Sequence, residues 1–222
     1  MPQKSVSSTK RAIHELRARI FSGDLPAGSD HLETELAELL EMSRTPVREA
    51  ILTLAGQGLL AMRPRKGVRI LPLSPDDMAE IYDVLTELEA LAAEQAAKAR
   101  YDEDELKILT RAIDDMDAAL ACSDLDRWSR ADEQFHHELV RLGGNTRVSA
   151  IVEMMSDQVR RARNTTLYIR PMPVKSNEDH RAVVEAIRNA DAEAARCIHH
   201  RHRSDTKEIL VALLRKHRVR FL

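Results

Sequence analysis

The run Leu36-Ala37-Glu38-Leu39-Leu40-Glu41-Met42-Ser43-Arg44-Thr45-Pro46-Val47-Arg48-Glu49-Ala50-Ile51-Leu52-Thr53-Leu54 decides the fold of this chain. Leu32, Leu36 and Leu39 form an apolar stripe at helical spacing that ends near Leu40. After Glu41-Met42 a second helix opens near Ser43, with Val47, Ala50, Ile51 and Leu54 inward and Gly58 as its stop. Two short helices joined by a tight turn predict a helix-turn-helix. Upstream, Ile13, Leu16 and Ile20 give a further helix over Lys10 to Phe21, broken by Ser22-Gly23-Asp24-Leu25-Pro26-Ala27-Gly28. Downstream, Leu59-Leu60-Ala61-Met62 and Val68-Arg69-Ile70-Leu71 flank the basic turn Arg63-Pro64-Arg65-Lys66-Gly67, which predicts a β-hairpin, the wing of a winged helix-turn-helix.

Pro72-Leu73-Ser74-Pro75 punctuates the chain, with Ser74 as N-cap of the next helix. This gives a first domain over 1–72, a linker over 73–76 and a second domain over 77–222. The second domain holds only helical periods, roughly 76–100, 102–121, 124–142, 146–168, 177–188 and 191–217, broken at Gly143-Gly144-Asn145 and Arg170-Pro171-Met172-Pro173. The fold class is therefore mainly α: a winged helix-turn-helix with a small hairpin, then an all-α bundle of six or seven helices. Composition agrees, because with 3% aromatic and 32% charged residues the core must be built from Leu, Ile, Val, Ala and Met. Met154 and Met155 are expected to fill that core.

Residues 1–72 hold 11 Lys and Arg against 8 Asp and Glu, and the remainder 23 against 28. A basic first third on an acidic remainder suits one domain that faces nucleic acid and one that avoids it. Cys122 and Cys197 have no motif spacing and read as free thiols of a reducing compartment. No apolar run approaches the roughly 20 residues of a membrane span, and Met1 to Lys10 lacks a signal-peptide stretch, so a cytoplasmic protein without membrane contact is expected. There is no Gly-rich phosphate loop and no nucleophile triad, which points away from an enzyme. The basic run Arg215 to Arg220 reads as cations favoured at a helix C-terminus.

Ser43, Arg44, Thr45 and Arg48 stand at the start of the third helix, where side chains can enter a major groove while the helix N-terminus meets a phosphate. Arginine can grip guanine O6 and N7 in a bidentate fashion, so base reading would rest on Arg44 and Arg48. Arg65 and Lys66 at the hairpin tip, with Gly67 beside them, could reach a minor groove or the backbone. Two arginines four residues apart also occur on any solvated helix; three short helices followed by a basic-tipped hairpin favour DNA.

The strings Ile20 to Gly28, Leu36-Ala37, Ser43-Arg44-Thr45-Pro46-Val47-Arg48-Glu49-Ala50, Leu54, Gly58-Leu59 and Arg65-Lys66-Gly67-Val68 closely resemble the GntR family of transcription regulators across the whole first domain. The resemblance implies that Arg44, Thr45, Arg48 and Gly67 lie at DNA. One short recognition helix reads too few bases, so a homodimer on a palindromic operator is expected.

Helical phase sorts the histidines of the second domain. Trp128, Phe135, Leu139 and Leu142 mark an inward face that Asp132 and His136 share, whereas His137 sides with Glu133, Arg130 and Arg141. His180 shares a stripe with Val183, Val184 and Ile187, and His202 with Ile198 and Ile209, while His200 aligns with Arg196, Arg203 and Lys207. A carboxylate and three imidazoles buried without partners would cost several kcal/mol, so they satisfy one another or bind something. Hydrogen-bonded core histidines are one outcome. The other is a divalent transition metal, with Zn2+ first and Ni2+ or Mn2+ also suited to Asp132, His136, His180 and His202.

Here Asp132-Glu133-Gln134-Phe135-His136, Gly144-Asn145, Asp179-His180, Ala186-Ile187, Asp191 and His202 are similar to the FCD effector domain of the FadR subfamily, over most of residues 77–210. The resemblance implies a metal on that Asp and those three His, with open positions for the carboxylate of a small organic-acid effector. Many such domains carry an Arg where this chain has Leu85; Arg160, Arg161 and Arg163 are candidates to supply the missing charge, Arg160 and Arg163 foremost. Two alternatives stand beside an effector-controlled regulator: a metal-dependent hydrolase using the three His and Asp, and a regulator whose metal is purely structural.

Overall fold

The computed structural model describes residues 7–216, which divide into two compact units, one ending at Leu73 and the other starting at Ser74. In the first, α1 (Ser8–Ser22) is capped by the Ser7 hydroxyl, which accepts from the Lys10 amide, and stops at Gly23 in the left-handed region. Then follow β1 (Asp30–His31), α2 (Glu33–Leu39), α3 (Arg44–Gly56), β2 (Leu60–Arg63) and β3 (Gly67–Ile70). The sheet is antiparallel in the order β1-β3-β2, with Asp30 opposite Arg69 and Met62 opposite Val68. Leu16, Ile20, Leu36, Val47, Ile51, Leu54, Leu59, Val68 and Ile70 form its core.

The helix-turn-helix and hairpin stand as the sequence predicts. The two-residue β1 is too short to carry a strand period and was not foreseen. The stripe expected on α2 also needs correcting: Leu36 is buried, but Leu32 and Leu39 are exposed, because Leu32 is the N-cap residue and the helix lasts only seven residues.

Gly67 shows why the hairpin closes as it does. Its φ is +79°, and a Cβ there would stand 2.1 Å from the His31 carbonyl oxygen of β1, closer than any side chain allows.

The second unit is a bundle whose described part has six helices: α4 (Pro75–Ala99), α5 (Glu103–Ala121), α6 (Leu125–Leu142), α7 (Thr146–Thr166), α8 (Val174–Arg188) and α9 (Ala192–Lys216). Ser74 caps α4, Asp102 closes a capping box with Glu105 on α5, and the Asn145 side chain accepts two amides of α7. Ala90, Ala93, Ala96 and Ala97 are fully buried on α4, and their small side chains let neighbouring helices approach it closely. Trp128, Phe135, Leu139, Val183 and Ile187 fill the centre. Helix α8 begins three residues before the expected 177, at Pro173-Val174, and Met154 is 47% exposed instead of filling the core. Residues 217–220 of the basic run lie outside the described residues. No helix among the described residues is long and apolar enough to cross a membrane.

Candidate functional site

Each unit presents one chemically distinctive surface or cluster. In the first, burial of Val47, Ala50, Ile51 and Leu54 turns Arg44, Thr45 and Arg48 of α3 into solvent. Ser43 occupies the N-cap position in extended backbone, yet its hydroxyl makes no capping bond, so that hydroxyl and the first α3 amides face outward together. Arg44 lies on the shared wall of two shallow grooves. One is completed by Arg63, Arg65 and Gly67 of the hairpin, the other by Thr45, Arg48 and Glu49.

The hairpin arginines fall into two sets. Arg63 and Arg69 stand 3.3 and 3.5 Å from Asp30 Oδ1 and tie the sheet together. Arg65 and Lys66 at the tip are exposed and, like Arg44 and Arg48, make no ion pair among the described residues. A face of unneutralised cations beside an open helix N-terminus suits a polyanion. Gly67 was expected to let the tip approach DNA; its packing on β1 gives it a reason inside the protein.

In the second unit, α6, α8 and α9 bring Asp132, His136, His180 and His202 together, all buried. Asp132 Oδ1 is 3.7 Å from His136 Nε2 and 3.8 Å from His180 Nε2, and the Nε2 atoms of His180 and His202 are 3.2 Å apart. Ligand atoms sharing one first-row ion stand about 3 to 3.5 Å apart. Asp132 Oδ1 itself is buried and accepts no hydrogen bond. A buried carboxylate oxygen without a hydrogen-bond donor, close to two imidazole nitrogens, makes a donor set that fits a divalent metal.

Arg163, on α7, donates to Asp132 Oδ2 and stands 3.3 Å from His136 Nε2. Arg160 is half-buried and bonded to Asp157 and Glu133. Leu85 is buried on α4.

Three members of the cluster escaped the sequence reading: Glu89, His199 and Arg203. Glu89 Oε2 lies 2.9 Å from His136 Nδ1 and 3.1 Å from His199 Nε2, and Glu89 Oε1 lies 3.2 Å from the Arg203 guanidinium. A carboxylate can only accept, so His136 carries its proton on Nδ1. Nε2 is then the lone-pair nitrogen; it accepts from the Arg163 guanidinium at 3.3 Å and lies 3.7 Å from Asp132 Oδ1. Glu89, His136 and His199 form a second group able to hold a cation. Arg203, expected on the outer face with His200, is 1% exposed and stacks 4.6 Å over Tyr82. The signal was there: Glu89 interrupts an apolar stripe between Leu85 and Ala93, and Ala195, His199, Arg203 and Leu210 share one side of α9.

Burial alone would raise the Asp132 and Glu89 carboxyls, but Arg163 beside the first and Arg203 beside the second hold both well below the usual range. Burial drives His180 well below the ordinary imidazole value, His199 down to about 3, and His202 down as well. At neutral pH Asp132 and Glu89 are thus ionised and the His180, His199 and His202 imidazoles uncharged, the forms that bind metals. A small cavity of about 150 Å³ adjoins it, with Arg163 and His202 in its wall together with Trp128, Arg170 and Pro173.

Comparison with known proteins matches residues 8–70 to "Bacterial regulatory proteins, gntR family" and residues 80–205 to the FCD domain. An HTH-type transcriptional regulator from the TAR-I ttuE-ttuC' intergenic region of Agrobacterium vitis is 43% identical over 61% of this chain and 82% of its own length. YdhC of Bacillus subtilis, also named an HTH-type transcriptional regulator, is 31% identical over 82% of each chain. The gluconate operon transcriptional repressor of Bacillus licheniformis is 32% identical over 63% of this chain and 58% of its own. Among solved structures, McbR/YncC of E. coli shares the fold at a TM-score of 0.76 and 21% identity, covering 94% of this chain and 99% of that one.

Proposed function

This chain belongs to the GntR family of bacterial regulatory proteins and carries an FCD domain, and from that membership we propose how its two units divide the work of a transcription regulator. It is not an enzyme, so the hydrolase alternative falls. The first unit reads an operator: Arg44 and Arg48 meet base edges, Ser43 and Thr45 meet phosphate at the open end of α3, and Arg65 and Lys66 follow the backbone or minor groove from the hairpin, with Gly67 holding that hairpin in register. One short recognition helix reads few bases, so a homodimer on a palindromic site completes the reading.

In the second unit, Asp132, His136, His180 and His202 would hold a divalent transition metal, Zn2+ first. When bound, the metal supplies a fixed positive charge with positions open to an acid group. Arg163 neutralises Asp132 and presents its guanidinium to the cavity, Glu89 fixes the His136 tautomer, and the burial of all of them excludes water. A small organic acid in the cavity is the effector, and Arg163 is the arginine that meets it; Arg160, held by two carboxylates, acts at one remove. The relative named for a gluconate operon is named for such an acid. Operator affinity changes if the acid binds two arrangements of the DNA-reading units unequally, a coupling of about 1 to 3 kcal/mol.

The observation that carries this reading is the unpartnered Asp132 Oδ1 facing the His136 and His180 Nε2 atoms. Elemental analysis of the purified chain and its His180→Ala variant tests it. A stoichiometric divalent metal in the first and a large loss in the second support it; full occupancy in the variant removes His180 from the ligand set. The purely structural role for the metal survives only if chelation lowers the melting temperature while small acids leave operator affinity unchanged.

A further inference from the structure

The cavity beside the polar cluster contains a cation that the preceding reading does not use. Arg170, in the segment between α7 and α8, lies over the Trp128 ring at 4.9 Å. Its Nε and Nη2 atoms are buried and have no hydrogen-bond partner among the described residues. Those two nitrogens form one edge of the guanidinium, the edge whose parallel N–H bonds match the two oxygens of a carboxylate. Of the other cations of the wall, Lys175 is engaged by Asp179, and Arg163 is held by Asp132 and His136 through its two terminal nitrogens, which leaves its Nε buried without a partner among the described residues. Asp205, the remaining wall carboxylate, is exposed and makes no bond to Arg170.

A desolvated guanidinium edge without an acceptor costs free energy that a ligand can recover. Burial, then the like charge of Arg163, already lowers the Arg170 pKa. The cavity is small, about 150 Å³, equal to the liquid volume of about five waters. Trp128, Pro173 and Leu210 add apolar lining beside the polar Arg163, Arg170 and His202.

We infer that the effector is a short diacid, with one carboxylate beside Arg163 and His202 and the second accepting from the Nε–Nη2 edge of Arg170. This rests on the effector reading above and narrows it to a ligand class. The apolar lining suits a short carbon chain, and Trp128 stacks on the face of Arg170 without taking up that edge.

The test uses the full chain loaded with zinc. Malonate, succinate, glutarate and adipate are titrated calorimetrically against the monoacids of equal length, propionate, butyrate, valerate and hexanoate. Trp128, the single tryptophan, provides a parallel fluorescence signal. At least one diacid should bind about tenfold or more tighter than its monoacid and change Trp128 emission. Arg170→Gln should abolish that advantage and leave monoacid affinity and metal content unchanged. Arg170→Lys, which keeps the charge without the fork, should retain part of it and serves where the Gln variant does not fold. Equal affinities throughout each pair, or a full diacid advantage in either variant, overturn the inference while metal-dependent monoacid binding leaves the effector reading intact. If no acid binds the zinc-loaded chain, the effector reading falls and this inference with it.

Discussion

Glu89 Oε2 lies 2.9 Å from Nδ1 of His136, and this pairing fixes the direction in which the imidazole presents its lone pair. The same oxygen takes a second bond from His199 Nε2, and Arg203 faces the other oxygen, so one buried carboxylate of α4 holds three side chains of α6 and α9. Orientation of a ligating histidine by a carboxylate behind it raises its basicity and removes the freedom to rotate away.

Glu89→Gln should therefore weaken zinc without unfolding the chain. The amide can still accept from His136, but it loses the charge opposite Arg203. Affinity should drop about 10- to 100-fold, read by competition with a chromogenic chelator. Glu89→Ala should go further and destabilise the unit by about 3 to 5 kcal/mol, because Arg203 is left as a buried, unpaired charge. Unchanged zinc affinity in Glu89→Gln would show that His136 is oriented by its packing alone.

Part of this was legible in the sequence, and the boundary has a physical cause. Asp132, His136, His180 and His202 share stripes with large apolar residues, so helical phase alone turns them inward, and the structure brings them together. Glu89 and Arg203 were missed because each looks exposed on composition and is buried only by virtue of the other. A buried ion pair between helices 114 residues apart leaves no local period to read. In the first unit, regular stripes gave α1 and α3, whereas β1 exists only through pairing with β3 and has no signature of its own.

Acid should destabilise the metal-free second unit well before its carboxylates titrate. His180, His199 and His202 have folded pKa values below that of free imidazole, His199 at about 3. Between the folded and unfolded values the unfolded chain binds more protons, so this stability is complete above about 6.5 and is lost progressively as pH falls from there toward the folded values. Glu89 and Asp132, held low in the folded state, contribute in the same direction below about pH 4. Denaturation by urea of the chelator-treated chain should show a midpoint falling from about pH 7 to about pH 5, with each neutral buried histidine adding up to about 1.4 kcal/mol per unit. His199→Gln should flatten the slope; a midpoint constant over this range would mean the imidazoles are not held neutral.

Gly67→Ala separates architecture from recognition at the hairpin. The new Cβ would meet the His31 carbonyl oxygen at 2.1 Å with φ at +79°, so β3 must pull away from β1. A loss of about 2 to 4 kcal/mol in the stability of the first unit is expected, read by its thermal transition, with DNA binding lost as a consequence. Arg65→Ala, at an exposed tip with φ already at +62°, should leave that transition within about 0.5 kcal/mol. A variant at Gly67 that melts like the parent yet fails on DNA would shift its role from packing to contact.

Arg48 and Lys66 should fail in different ways on DNA, because one is placed to read bases and the other to meet phosphate. Arg48 is exposed in the first turns of α3, whose Val47 and Ile51 are buried, where a major groove presents guanine acceptors. Arg48→Ala should lose about 1 to 3 kcal/mol of discrimination between operator and random duplex, with little change in the salt dependence of random binding. Lys66 stands at the exposed hairpin tip and makes no ion pair among the described residues. Lys66→Ala should weaken operator and random duplex alike and reduce the slope of log affinity against log salt by about 1, the signature of one phosphate contact. Fluorescence anisotropy on both duplexes across a salt series measures the two together. The assignment of the recognition face fails if Arg48→Ala weakens both duplexes equally, since an arginine that touches only phosphate cannot tell one sequence from another.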